Sequence, residues 1–272
     1  MAGTRIFKDA FGALSSEYAL YRPTYPKEML EKVISIATKD LNKPENQLKL
    51  ADIACGTGQV VLPLAKRLGK VYGIDGSPGQ IEEARKRAET QGITKGIKFQ
   101  VGEADKTGLG SESVDIVTIA QALHWLNLDN FFGHVREILK PNGVFAVLGY
   151  SMCQIQPEDS ESQREFEKYT CLLKNSWDCN RPLLEDHFRS VSFAPYFHNV
   201  EFSDFPVISQ YSLGSFILYL RTMSAYQNFS RSLSDPSQDP LLLLQHRLLS
   251  IHGSLSSPLD IKFPFFLITC RR

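Results

Sequence analysis

Leu50-Ala51-Asp52-Ile53-Ala54-Cys55-Gly56-Thr57-Gly58-Gln59-Val60, with Val71-Tyr72-Gly73-Ile74-Asp75 close behind, is the stretch that decides the fold. The apolar run Leu50 to Ile53 has the length of a buried strand and breaks into a glycine turn. Val60, Val61, Leu64, Ala65 and Leu68 then recur at helical spacing, with Pro63 removing one backbone donor near the first turn. A second apolar run ends on an acid, Asp75. Strand, glycine turn, helix and acid-ended strand together bring backbone N–H groups and a ribose-accepting carboxylate to an adenosyl ligand.

The spacing speaks against a dinucleotide. A nicotinamide or flavin fingerprint needs a third small residue for close helix packing beside a pyrophosphate, and here the run reads G-T-G-Q-V-V, with Val61 at that place. What remains, Asp52-x-x-x-Gly56-x-Gly58 with the distal Asp75, resembles motif I and the following acidic strand end of class I S-adenosylmethionine (SAM) methyltransferases. The resemblance implies SAM as cofactor and S-adenosylhomocysteine as product. It also implies that Asp52, Ala54, Gly56 and Gly58 hold the methionyl part and Asp75 the ribose. Ala54 stands where the family's first glycine usually does.

Strand and helix signals alternate onward. Ser77-Pro78-Gly79-Gln80 opens a helix with Ser77 as N-cap and Pro78 at the first position; Ile81, Ala84 and Ala88 face the sheet, and Glu82–Lys86 and Glu83–Arg87 form pairs on the wet side. Strands are predicted over 97–101, 114–120 and 143–150, with a helix from 129 to 140 stopped by Pro141-Asn142-Gly143. The expected fold is α/β and Rossmann-like. It has a mostly parallel seven-stranded sheet, helices on both faces and a helical cap insertion, in one domain over 1–272. Residues 1–40 supply an arm and helix, 41–150 the SAM-binding core, and 151–272 the cap and last strands.

Composition narrows the partners. Thirty basic residues balance thirty acidic ones and the pI is near 7.0, so no whole-chain charge favours nucleic acid or an anionic membrane. No Asn/Asp-Pro-Pro-Tyr/Phe element follows the fourth strand, which also argues against methylation of bases. No apolar run reaches membrane-span or signal-peptide length, and the five scattered cysteines (Cys55, Cys153, Cys171, Cys179, Cys270) read as free thiols without a metal site. A cytoplasmic protein, a monomer or weak homodimer acting on a small molecule, is expected.

Three further stretches extend the resemblance. Gly102-Glu103-Ala104-Asp105 looks like the segment that edges the adenine, with Glu103 or Asp105 as acceptor for the exocyclic amine and Ala104 between them. Ala120-Gln121-Ala122-Leu123-His124-Trp125 is similar to the A-x-A-x-H-W of small-molecule methyltransferases; it places Gln121 against the cofactor and His124 and Trp125 toward the acceptor. His124 is a candidate general base or a residue that orients the loop. Tyr18-Ala-Leu-Tyr21-Arg22-Pro23-Thr24-Tyr25-Pro26 resembles the arm of trans-aconitate methyltransferases and their relatives, which lies over the cofactor and substrate entrance. Tyr18 and Arg22 would then touch the cofactor and Tyr21 the acceptor, and Arg22 could pair with a carboxylate of either. Pro23 and Pro26 predict extended backbone from Leu20 to Tyr25, ahead of a helix with Leu30, Val33, Ile34 and Ala37 on one face.

Beyond Tyr150 the signals thin. Helices are expected around Phe166, Tyr169, Leu172 and Leu173, over 212–226 and over 241–251. Strands are expected near 200–207 and over 261–270, where Pro264 suggests a sheet edge. Thr222-Met223-Ser224-Ala225-Tyr226 stands where the same relatives carry T-W-S-x-Y, which makes Tyr226 a candidate acceptor contact. The activity expected is transfer of the SAM methyl to a carboxylate or hydroxyl oxygen of a small molecule. The alternatives are C- or N-methylation of a quinone, sterol or other metabolite, a SAM-binding protein without turnover, and a short-chain NAD enzyme, the last lacking a Tyr-x-x-x-Lys pair.

Overall fold

The computed structural model describes residues 20–272. Tyr18 lies outside the described residues. The sheet is built from β1 (Lys49–Ile53), β2 (Lys70–Asp75), β3 (Ile97–Val101), β4 (Val114–Ala120), β5 (Leu139–Tyr150), β6 (Gln154–Ile155), β7 (His198–Ser212) and β8 (Pro258–Arg271). Its order is β3-β2-β1-β4-β5-β8, with β7 along the far side of β8 and the short β6 on the β5 side. β1 to β5 run parallel, whereas β8 is antiparallel to its three neighbours. The seven-stranded expectation is therefore corrected by one: the two-residue β6 makes an eighth strand.

Pro264 is not at an edge. β8 lies between β5 and β7, and Pro264 stands opposite Pro206 of β7. The Ser151 N–H donates to the Pro264 carbonyl at 3.4 Å, so the polar backbone of Pro264 faces the β5 side. There the ladder is broken between the Tyr150–Phe265 and Gln154–Lys262 pairs. The missing donor falls in a gap that needs none.

One face of the sheet is covered by α1 (Lys27–Asp40), α2 (Val61–Ala65) and α3 (Pro78–Thr90), and the other by α4 (Leu128–Ile138). Met29, Leu30, Val33, Ile34 and Ala37 of α1 are buried, as the helical spacing requires. Phe131, Phe132, Val135 and Ile138 of α4 pack with Phe193 and Phe197 from the segment before β7. α4 stops at Ile138 rather than Lys140, because β5 already pairs with β4 at Leu139. Leu20 and Tyr21 are helical and the chain extends only over 23–26; proline restricts the residue before it and leaves the earlier two free.

The cap is made of α5 (Glu161–Leu172), α6 (Arg181–Glu185), α7 (Leu213–Arg221), α8 (Ser224–Arg231) and α9 (Pro240–His252). Phe166 and Tyr169 of α5 are buried, but Leu172 is exposed. The helix expected over 212–226 is two helices, broken at Thr222 and Met223. Thr222 turns its hydroxyl back to the Tyr219 carbonyl at 2.6 Å, and Met223 takes extended backbone before α8.

Candidate active site

The strand order reverses between β1 and β4, and the ligand crevice of an open α/β sheet lies at the carboxyl ends beside such a switch. Both strands leave the sheet there through a left-handed residue that is not glycine: Ala54 (φ 57°) after β1 and Gln121 (φ 54°) after β4. Backbone strain of this kind concentrates at functional sites. Ala54 thus keeps the conformation for which the family uses glycine, at a cost of about 1 kcal/mol. Gly56 (φ 53°) and Gly58 (φ 85°) continue the turn, and a Cβ on Gly58 would meet Leu62 Cγ at 3.1 Å.

Asp75, at the end of β2, is nearly buried and locks two turns at once. Its Oδ2 accepts the Gly56 N–H at 2.9 Å and its Oδ1 accepts the Ser77 N–H at 2.8 Å. Arg87 secures the glycine turn from α3. Its guanidinium donates to the Thr57 carbonyl and hydroxyl, both at 3.0 Å, in place of the expected pair with Glu83; Glu82 and Lys86 do pair, at 2.9 Å.

Beneath the turn Asp52 is 1 % exposed. Its Oδ1 accepts the Thr118 hydroxyl at 2.6 Å and its Oδ2 has no hydrogen-bond partner among the described residues. Burial pushes its carboxyl up to about 7; the Thr118 hydrogen bond opposes this and the Asp75 charge adds to it.

A cavity of about 200 Å³ opens above these strand ends, lined by Ala54, Asp75, Glu103, Ala104 and Asp105 together with Phe131 of α4. These residues fit SAM. The carboxylates of Asp75, Glu103 and Asp105 along its wall suit a ligand that carries an ammonium and a sulfonium, and Leu126 and Phe131 suit a base, whereas Asp52, Gly56 and Gly58 do not line the cavity. Ala54 would lie by the methionyl end, with Asp52, Gly56 and Gly58 shaping the turn behind it, Asp75 by the ribose and Glu103 to Asp105 by the adenine edge. Leu126, Asn127 and Phe131 also line the cavity and carry no motif that announced them.

A second, smaller cavity of about 50 Å³ adjoins the first, and Trp125 lines both. Arg22, Gln121 and His124 reach it, joined by Tyr150 and Ser151 at the end of β5 and by Arg181 of α6. The Gln121 amide donates to the Tyr150 carbonyl at 2.8 Å.

His124 is buried, its ring centroid 5.0 Å from that of Trp125, and its Nδ1 finds no hydrogen-bond partner among the described residues. Burial first, and then the positive charge of Arg181, lower its pKa to about 3. It lines this cavity as a neutral imidazole.

Arg22 is a strap. Its Nε donates to the Thr222 hydroxyl at 2.9 Å, Nη1 to the Tyr150 hydroxyl at 3.1 Å and Nη2 to the Thr222 carbonyl at 2.8 Å, while its carbon lies 5.4 Å from the Tyr219 ring centre. The break between α7 and α8 leaves that carbonyl available. Of the other expected contacts, Tyr21 packs against the core and its carbonyl accepts the Tyr211 hydroxyl at 3.2 Å. Tyr226 lines neither cavity; its hydroxyl donates to Asp239 Oδ2 at 2.8 Å, while Asp239 Oδ1 caps α9 by accepting the Leu241 N–H.

All five cysteines are free, and no metal-binding cluster occurs among the described residues. No helix among them is long and apolar enough to cross a membrane.

Residues 51–147, the stretch from β1 to β5 that builds the switch-point cleft, match the family described as "Methyltransferase domain". The chain is a class I SAM-dependent methyltransferase. It is 29% identical over 270 residues to a Dictyostelium discoideum protein named as a methyltransferase, covering 98% of this chain and 96% of that one. A Saccharomyces cerevisiae protein named as an S-adenosylmethionine-dependent methyltransferase is 27% identical over 288 residues, covering 95% of each. A solved structure from Anaeromyxobacter dehalogenans, described as a type II methyltransferase, superposes with a TM-score of 0.74 at 27% identity over 92% of this chain and 98% of its own.

Proposed function

We propose that this enzyme methylates a carboxylate oxygen of a small molecule, in the manner of the trans-aconitate methyltransferases that its N-terminal arm resembles. The observation that carries this is the acceptor cavity: two guanidiniums, Arg22 and Arg181, line a space that also holds a neutral His124. A cationic rim around a small cavity favours an anion.

Bound SAM supplies a sulfonium methyl open to in-line displacement. When a carboxylate attacks it, two opposite charges vanish, so a dry cavity that aligns the atoms accelerates the reaction without moving a proton. A base with a pKa near 3 would be poor at drawing a proton from a hydroxyl, whereas a carboxylate needs none. His124 and Trp125 then serve as walls: Trp125 borders both cavities and is placed to keep water from the line between the two reactants. Asp75 and Asp52 stay with the cofactor, and Gln121 bridges from β4 to the end of β5.

The test is a transfer screen with methyl-labelled SAM over carboxylic acids, each beside its amide and alcohol counterparts. Label in a base-labile ester supports carboxyl methylation. Label only in base-stable products from the neutral counterparts contradicts it.

A further inference from the structure

The two arginines of the acceptor cavity are not equivalent. Each of the three nitrogens of the Arg22 guanidinium donates to a protein group, and these bonds hold the cap on the core. In Arg181, Nε donates to Glu185 Oε1 at 2.6 Å and Nη2 lies 2.5 Å from the same oxygen, whereas Nη1 has no hydrogen-bond partner among the described residues.

Arg181 is also held rigid. Its guanidinium carbon lies 4.4 Å from the centre of the Trp177 ring, and the second oxygen of Glu185 accepts the Met152 N–H at 3.1 Å. Arg181 and Glu185 are one turn apart on α6, and Trp177 stands four residues before Arg181 in the segment that leads into the helix. The side chain is 18% exposed. A rigid, mostly buried cation with one unspent donor group, in the wall of a cavity, is poised for an anionic ligand.

We propose that Arg181 is the specificity-determining residue of this enzyme, holding the carboxylate of an acid acceptor through Nη1; this rests on the carboxyl-methylation reading above. One donor on one oxygen suits the chemistry. A two-pronged clamp would draw electron density from both oxygens, whereas a single Nη1 contact fixes the acceptor and leaves the other oxygen's lone pair free to attack. In the step the new O–C bond forms as the C–S bond of SAM breaks, its electron pair stays on sulfur as the neutral thioether, and no proton is transferred. The same charge reaches His124 and helps to keep it neutral, so the cavity holds cations without a competing imidazolium.

The experiment compares wild type with Arg181→Met and Arg181→Lys, using whichever acid of the labelled panel the wild type methylates best. For Arg181→Met the KM for that acid is expected to rise by about tenfold to a hundredfold, with kcat within about threefold and calorimetric SAM affinity unchanged. Millimolar guanidinium chloride should restore part of the lost affinity, and Arg181→Lys should fall between the two. Calorimetric titration of the acid into protein loaded with S-adenosylhomocysteine should show the same order without turnover. An unchanged KM in Arg181→Met overturns the assignment. So does a loss of kcat and SAM affinity together that neither guanidinium nor lysine repairs, which marks Arg181 as a structural strut. A wild type that labels only neutral acceptors overturns carboxyl methylation itself and is told apart by needing no variant.

Discussion

The cofactor half and the acceptor half of this site are built in different ways. Around the larger cavity the groups proposed to contact SAM sit at strand ends and turns within one continuous stretch from β1 to β4, and backbone holds them in place: Asp75 accepts the N–H groups of Gly56 and Ser77. Around the acceptor cavity the groups are side chains brought from far apart, as in the Arg22 bond to Thr222 two hundred positions away. A backbone cradle fixes a cofactor that does not change, while side chains on a separate cap can be exchanged to fit an acceptor without disturbing the cradle.

The sharpest way to break that contrast is to cut the cofactor half at its acid. Asp75→Ala should cost about 1.5 to 3 kcal/mol of SAM binding, a tenfold to hundredfold loss by calorimetry. Because Asp75 also holds two turns, the melting temperature should fall as well. Wild-type SAM affinity in this variant would remove Asp75 from the cofactor site.

The corresponding cut on the acceptor side is Arg22→Met. Loss of the bonds to Thr222 and Tyr150 should destabilise the protein by about 2 kcal/mol and raise the acceptor KM, with SAM affinity held within about threefold. If SAM affinity fell as far as in Asp75→Ala, the arm would belong to the cofactor half after all.

The halves also respond to pH with opposite signs. Asp52 has its folded pKa raised from 3.8 to about 7, so its contribution to stability is full below 3.8 and is lost as pH rises through 7. His124 has its folded pKa lowered from 6.5 to about 3, so its contribution is full above 6.5 and is lost as pH falls toward 3. Asp52→Asn should therefore raise the melting temperature relative to wild type more at pH 8 than at pH 4, and His124→Gln should flatten the acid limb. Melting curves across this range check both signs, and parallel curves for the two variants would contradict them.

The smallest effect expected is at the left-handed turn. Ala54→Gly should relieve strain worth about 1 kcal/mol, less about 0.4 to 1 kcal/mol of extra chain entropy for glycine, and raise the melting temperature by at most about two degrees without weakening SAM. A drop in melting temperature would mean that the alanine methyl packs usefully.

The same contrast explains what could be read in the sequence. Glycines, the acid at the end of β2 and the Ser77-Pro78 helix start are local signals with a fixed spacing, and β1 to β4 lie where the apolar runs put them. Helical spacing offers Arg87 its neighbour Glu83, yet tertiary packing gives it the Thr57 carbonyl. The break at Thr222 and the interior place of Pro264 depend on partners far along the chain, Arg22 and a gap between β5 and β6, which no window of sequence contains. Arg181 had a local signature in its four-residue intervals with Trp177 and Glu185, but nothing nearby said that its free end would reach the cavity beside His124.

The most direct test of the account is calorimetric titration of the wild-type protein with SAM, with NADH as the control ligand. One SAM bound per chain, displaced by S-adenosylhomocysteine, with no heat from NADH, is the predicted result. Binding of NADH without SAM would contradict the assignment of the switch-point cleft, and with it the division of the site into a backbone cradle and a side-chain cap.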